Sequence, residues 1–181
     1  MIMSRKLNLG CGNNPVPDYV NIDKLPLPEV DLVWDLEICP LPIPDNCVSE
    51  VRCDHILEHI HNFLPLMEEL HRVCQPGAVL KINAPYYKYE QAYGDPTHVR
   101  FFNERTFSFF DDDYEYGFYT KARFFTRVVK LKNTSKTKTV TPVKRIRRYI
   151  PFKQFFNIFL WNMFSEIYYE LEVVKDEEVS K

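Results

Sequence analysis

The chain opens with short apolar-polar alternations set close together. Lys6 to Gly10 alternates and ends in a glycine turn, Tyr19 to Asp23 ends in an acid, and Asp31 to Trp34 is again followed by one, Asp35. Each reads as a strand of period two. Cys39 to Pro44 is loop punctuated by prolines, and Ser49 to Asp54 is a fourth strand. Phe63 to Val73 places apolar residues at helical spacing, with Pro65 tolerated in the first turn, and Gln75-Pro-Gly77 is expected to stop that helix. Ala78 to Ala84 is an apolar fifth strand, followed by a tyrosine-rich loop from Pro85 to Gly94. Asn103 is placed to cap a helix running through Phe110. Arg123 to Lys132 alternates as a strand. Phe152, Phe155, Phe156, Phe159, Leu160, Met163 and Phe164 predict an amphipathic helix, and Ile167 to Lys175 closes the chain's pattern as a last strand. About eight residues separate the first two predicted strands, where a parallel crossover usually takes about 10–12 or more, so pattern alone leaves the sheet topology open.

A length of 181 residues with 45% hydrophobic and 27% charged side chains is that of one globular domain. No uninterrupted apolar run of about 18 residues is present, so no spanning helix is expected. Residues 1–6 lack the apolar core of a signal peptide. Five cysteines without a C-x-x-C pair argue against a disulfide framework or a thiolate zinc site, and a reducing, cytoplasmic address is expected. The net charge of −2 conceals an asymmetry. Residues 1–120 carry 9 basic and 19 acidic side chains, whereas 121–153 carry 12 basic and none acidic. Such a block suits an anionic partner or a solvated hairpin.

Chemistry enters at Gly10-Cys11-Gly12, which follows a strand, with Asp23 ending the next strand 13 residues after Gly10. Glycines allow close backbone approach to a nucleotide-like ligand, and an acid at the second strand's tip can accept ribose hydroxyls. Position 15 is Pro where a dinucleotide fingerprint wants a third glycine, and the usual spacing to the acid is about 20 residues, so taken alone this is a turn signal. The ordered set is more specific. L-N-L-G-C-G, Tyr19 to Asp23, Val33-Trp-Asp-Leu36, Ile56-Leu-Glu-His-Ile60 and Gln75-Pro-Gly77 together resemble the class I S-adenosylmethionine-dependent methyltransferases, and more narrowly a small branch carrying D-P-T-H, here Asp95 to His98. The resemblance spans roughly residues 6–110, with a weaker echo at Glu170 to Lys175.

The resemblance implies an α/β Rossmann-like fold: a mostly parallel twisted sheet, an antiparallel last strand, and reduced helices in the front half. Residues 1–181 form a single domain, with an insertion at about 134–165. It implies S-adenosylmethionine as cofactor and S-adenosylhomocysteine as product. Gly10, Cys11 and Gly12 would line the methionine part; Asp23 would hold the ribose diol, with Lys24 beside it. Asp35 would meet the adenine amino group, Leu36 would offer a backbone N–H to the ring, and Asp54 and His55 would face the transfer centre. A helix between Gly12 and Tyr19 is missing, which shortens one wall of the cleft. Asp95 and His98 follow the fifth strand, where ligand-facing loops gather, and are the candidate catalytic pair, with His98 the first choice of base and bracing of the loop the alternative. Tyr86, Tyr87, Tyr89 and Tyr93 either pave an acceptor pocket or cover the sheet edge. The reaction requires no metal.

Two other classes stay open. His55 to His59 spells H-x-x-E-H, which on a helix would place two imidazoles one turn apart for a zinc hydrolase. Lys144 to Arg148, followed by the aromatic segment, could instead serve a non-catalytic cofactor-binding or interaction domain. The partners this allows are an anionic ligand, a peripheral membrane surface or a second copy of the chain, and no nucleic-acid-binding motif accompanies the charge. For the enzyme, a saccharide, a lipid-linked saccharide or a small metabolite would serve as acceptor.

Overall fold

A computed structural model describes residues 5–133 and 151–175. Among the described residues seven strands form one sheet: β1 (Arg5–Leu9), β2 (Val20–Asp23), β3 (Leu32–Val33), β4 (Val48–Asp54), β5 (Cys74–Pro85), β6 (Arg123–Lys132) and β7 (Glu166–Val174). Their order is β3-β2-β1-β4-β5-β7-β6. The first five run parallel, and β7 lies antiparallel between β5 and β6. The architecture is the expected one, a mostly parallel sheet with an antiparallel last strand and few helices.

The front half solves the crossover problem without a helix. Ten residues of turn and loop carry the chain from Leu9 at the end of β1 to Val20 at the start of β2, and the two strands pair in parallel with Leu7 opposite Val20 and Leu9 opposite Ile22. A sheet face left without a helix cannot be apolar, and the sequence puts paired asparagines there. Asn8 and Asn21 face each other in register, and Asn8 Nδ2 donates to Asn21 Oδ1 at 2.9 Å. Asn21 Oδ1 also accepts the Val16 N–H at 2.8 Å, while Asn21 Nδ2 donates to Asp31 Oδ2 at 3.1 Å. These buried amides satisfy the loop's backbone groups where helix contacts would otherwise lie. Leu7 and Leu9, on the opposite face, are fully buried in the core.

That core is closed by α1 (Phe63–Val73), whose Phe63, Leu66, Met67, Leu70 and Val73 are buried at helical spacing. Pro65 is the third helical residue, where its missing N–H removes no intrahelical bond. On β7, Ile167, Tyr169, Leu171 and Val173 are buried and pack with Phe102, Phe107, Phe110 and Phe124. Among the described residues no helix is long and apolar enough to cross a membrane.

Three local expectations are corrected. Gln75-Pro-Gly77 does not separate helix from strand: β5 begins at Cys74, directly after α1, and the three residues fall in a register shift against β4. Asn103 caps no α-helix. Its Oδ1 accepts the Arg105 N–H at 2.8 Å in a local turn, and a 3₁₀ turn over Thr106–Phe110 follows. The aromatic segment is helical only over α3 (Lys153–Asn157), after Phe152 at φ 53°, and Asn162 at φ 61° precludes continuation. Between β5 and β6 lies one further short helix, α2 (Glu90–Gly94). Residues 134–150, with half of the basic block's Lys and Arg side chains and all of Lys144 to Arg148, lie outside the described residues.

Candidate functional site

Parallel strands end on the same side, so the C-terminal tips of β1 to β5 bring the sequence candidates to one edge. Gly10 and Gly12 turn the chain off β1 with φ of 60° and 49°. Gly12 N–H donates to Asp23 Oδ2 at 2.8 Å, and Leu25 N–H to Asp23 Oδ1 at 3.0 Å. Asp23 therefore ties the glycine turn to the end of β2. Each carboxylate oxygen has a second lone pair, so the group can still accept a diol. The space around the two glycines differs. A Cβ on Gly10 would lie 2.5–2.8 Å from the Ile56 side chain, whereas one on Gly12 would meet nothing within 4 Å. The first glycine is required by packing against the β4 loop; the second leaves an open cradle.

Cys11 is buried, its N–H donates to Ile22 O, and burial, with Asp23 nearby, pushes its thiol pKa up. It is a packed thiol rather than a reactive one. Lys24 is exposed beside Asp23. Past β3, Asp35 Oδ1 accepts the Glu37 N–H at 3.0 Å, and the Leu36 side chain is buried. Asp54, at the tip of β4, accepts Arg52 Nε–H at 2.8 Å.

The next residue, His55, adopts φ 53°, and its N–H donates to Asn83 O on β5. The turn swings its ring between two carboxylates, with Nε2 3.4 Å from Glu166 and Nδ1 3.2 Å from Glu58. Glu166 and then Glu58 outweigh partial burial and push the His55 pKa up to about 10. His55 is thus an imidazolium. Residues 57–59 form a short 3₁₀ helix, not an α-helix, and His55 precedes it at positive φ, so H-x-x-E-H does not place His55 and His59 one α-helical turn apart. That corrects the helix geometry on which the zinc-hydrolase reading depended.

The loop after β5 is drawn onto this turn by Val99 N–H, which donates to Glu58 O at 2.9 Å. It places the His98 ring against His59, with centroids 4.8 Å apart. Asp95 Oδ1 accepts both the hydroxyl and the amide of Thr97, which hold its carboxyl below the usual range. His98 Nε2 lies 3.9 Å from Asp95 Oδ2. A cavity of about 680 Å³ opens here, with His55, Glu58, His59, Asp95 and His98 on its wall together with Tyr89, Gln91 and Ser165–Glu166. Of the four tyrosines, Tyr89 lines this cavity. Tyr86 is buried, donating its hydroxyl to Glu104 at 2.8 Å, and Tyr93 stacks on Phe101 at 4.3 Å. Gly10 to Leu36 lie along the same edge but outside this cavity, and His55 stands where the two parts meet.

Glu166 escaped the sequence reading, and Glu58 entered it only as the acid of H-x-x-E-H. An antiparallel last strand begins at the edge where parallel strands end, and Glu166 pairs with Pro85 there. The signal for it was the acid immediately before the predicted strand.

No family model and no curated protein matches this chain. Solved structures do match. A SAM-dependent methyltransferase from Archaeoglobus fulgidus aligns over 94% of this chain and 86% of its own, at 16% identity and a TM-score of 0.60. One from Methanosarcina mazei aligns over 97% and 95%, at 13% identity and a TM-score of 0.60. The chain has the Rossmann-like methyltransferase fold. The same fold is shared by the [4+2]-cyclase SpnF, which aligns over 96% of this chain and 76% of its own at 13% identity and a TM-score of 0.58. Fold therefore constrains the cleft more than the reaction.

Proposed function

We propose that this chain is an S-adenosylmethionine-dependent methyltransferase acting on a small molecule or saccharide held in the cavity beside His98. The observation that carries the reading is the Asp23 carboxylate, fixed by the Gly12 N–H at the mouth of an open glycine cradle. The residues present fit the cofactor. Asp23 offers lone pairs to the ribose diol, Gly12 leaves room for the methionine part, and Asp35 and Leu36 follow β3 where the adenine would lie. Asp54 pairs with Arg52, and Glu58 and Glu166 flank the His55 imidazolium, so carboxylates outnumber cations around the transfer centre, which suits a sulfonium and an ammonium group. When bound, the cofactor supplies an electrophilic methyl group.

The chain's own task is alignment and proton removal. His98 Nδ1–H donates to Ala92 O at 2.9 Å, which leaves the Nε2 lone pair to take a proton from an acceptor hydroxyl or amine. Asp95, held below the usual carboxylate range by Thr97, is the weaker base and stays ionised near it.

The test is calorimetric titration with S-adenosylmethionine and S-adenosylhomocysteine, with Asp23→Ala alongside. Losing two charge-assisted hydrogen bonds should weaken binding at least about a hundredfold. A folded wild-type chain that binds neither ligand would overturn the proposal.

A further inference from the structure

The geometry points to a divalent transition-metal site formed by Glu58, His59 and His98, open to the cavity where the acceptor is placed. One donor atom from each residue lies within 4.8 Å of the other two. Two of the three come from the turn after β4 and the third from the loop after β5. A sequence scan for ligand spacing does not group them.

Hydrogen bonds fix which ring atoms are available. Thr97 Oγ1 donates to Asp95 Oδ1 at 2.6 Å, so its proton is committed there. His59 Nδ1, 2.9 Å from Thr97 Oγ1, must then donate to that hydroxyl oxygen, and its Nε2 carries the lone pair. His98 Nδ1–H is taken by Ala92 O, so its Nε2 carries the lone pair too. Both imidazoles are held in the tautomer of a metal ligand by a carbonyl or by a hydroxyl backed by a carboxylate, which is the outer support that metal-bound histidines have.

The carboxylate supplies the second, independent observation. Glu58 is 1% exposed. Its Oε1 is engaged by His55 Nδ1, while its Oε2 is buried and has no hydrogen-bond partner among the described residues. A buried carboxylate oxygen without a partner is costly unless something cationic meets it. On the cavity wall Glu58, Asp95 and Glu166 outnumber the one cation, His55, that Glu58 and Glu166 flank, so the remaining negative charge favours a cation.

Two imidazole nitrogens and one carboxylate oxygen select the Zn²⁺, Fe²⁺ and Co²⁺ class over Mg²⁺ or Ca²⁺, and three protein ligands leave positions open. Metal–ligand bonds of about 2.0–2.2 Å require donors roughly 3–3.5 Å apart, so loading draws the three together by about 1 Å. The role of the ion rests on the methyl-transfer reading, although its binding does not. An acceptor oxygen bound at an open position would be acidified by the ion, which then takes over the part given above to His98 as base.

The test uses the full chain stripped with chelator, titrated with Zn²⁺, Co²⁺ and Mg²⁺ by calorimetry, with Co²⁺ visible absorption as a second readout. One equivalent of Zn²⁺ and of Co²⁺ should bind, and Mg²⁺ should not. His59→Ala and His98→Ala should each lose at least tenfold in affinity and alter the Co²⁺ spectrum. Thr97→Val, which removes only the outer support, should lose about tenfold. His61→Ala, exposed and outside the cluster, should change nothing. Absent binding, binding unchanged by His59→Ala and His98→Ala, or Mg²⁺ binding as tight as Zn²⁺ would each overturn the assignment. S-adenosylhomocysteine titrated into the same stripped samples separates this outcome from failure of the methyltransferase reading, because neither histidine contributes to the proposed cofactor cradle.

Discussion

Replacing each glycine of the G-x-G turn by alanine should separate a packing requirement from a binding one. Both residues sit at positive φ, 60° for Gly10 and 49° for Gly12. An alanine there pays about 1–2 kcal/mol in left-handed strain, offset by about 0.4–1 kcal/mol because alanine restricts the unfolded chain. For Gly12→Ala, whose Cβ meets nothing within 4 Å, that difference of about 0.5–1 kcal/mol is the whole effect. Gly10→Ala adds a clash with Ile56. One of the opposing atoms is Ile56 Cβ at 2.8 Å, which is fixed to the backbone and cannot rotate away. Overpacking of this kind costs about 1–3 kcal/mol, for a total near 2–4 kcal/mol. In a chain of this length that lowers Tm by about 5–15 °C, against about 1–4 °C for Gly12→Ala. Thermal unfolding followed by circular dichroism reads both. The double variant Gly10→Ala/Ile56→Ala should be less unstable than the sum of its parts by about 1 kcal/mol. Gly12→Ala, nearly as stable as wild type, should still lose about tenfold in S-adenosylhomocysteine affinity, or about 1.4 kcal/mol. Equal Tm losses for the two single variants would refute the packing argument.

Two further outcomes concern stability. Glu37 accepts the His61 and Asn62 N–H groups at 2.7 and 2.9 Å ahead of α1; burial opposes ionisation, but these bonds prevail and lower its pKa. A depressed carboxyl pKa contributes stability that is present above the unfolded-state value and lost as pH falls through the folded-state one. Denaturant titrations should therefore show Glu37→Gln about 1 kcal/mol less stable at neutral pH, the gap closing in acid. Arg72 binds Glu69 and Asp45 and donates to Leu41 O at 3.2 Å and Ile43 O at 2.9 Å, pinning the proline-rich loop to α1. Arg72→Ala should cost about 2–4 kcal/mol by leaving those carbonyls and the buried Glu69 unpaired, measured as a Tm fall of about 5–15 °C.

The front half of the chain was legible because each strand is short, alternating and closed by a glycine or an acid. Asp23 and Gly12, named from sequence, are joined by a hydrogen bond. What pattern could not supply was the means of crossing from β1 to β2 without a helix. That depends on Asn8 and Asn21 meeting across two strands, a contact between residues 13 apart that looks like an ordinary polar pair in sequence. Apolar spacing at 152–164 predicted a long helix. The left-handed turns at Phe152 and Asn162 override it, and Phe152, Phe155 and Phe159 are exposed instead of facing the core. Asn103 and Arg105 chose a local side-chain turn over a cap, a competition that propensity does not resolve. Glu58 was read only as the acid of H-x-x-E-H. Its meeting with His98, 40 positions later, follows from the Val99-to-Glu58 backbone bond, which leaves no local signal.

The most direct test of the central claim is a map of amide chemical shifts in the ¹⁵N-labelled chain as S-adenosylhomocysteine is added. The account predicts that the perturbed amides cluster at Gly10, Gly12, Asp23, Asp35 and Leu36 and reach His55, while those of β6 stay unchanged. A folded chain whose spectrum does not move, or moves only away from that edge of the sheet, would contradict it.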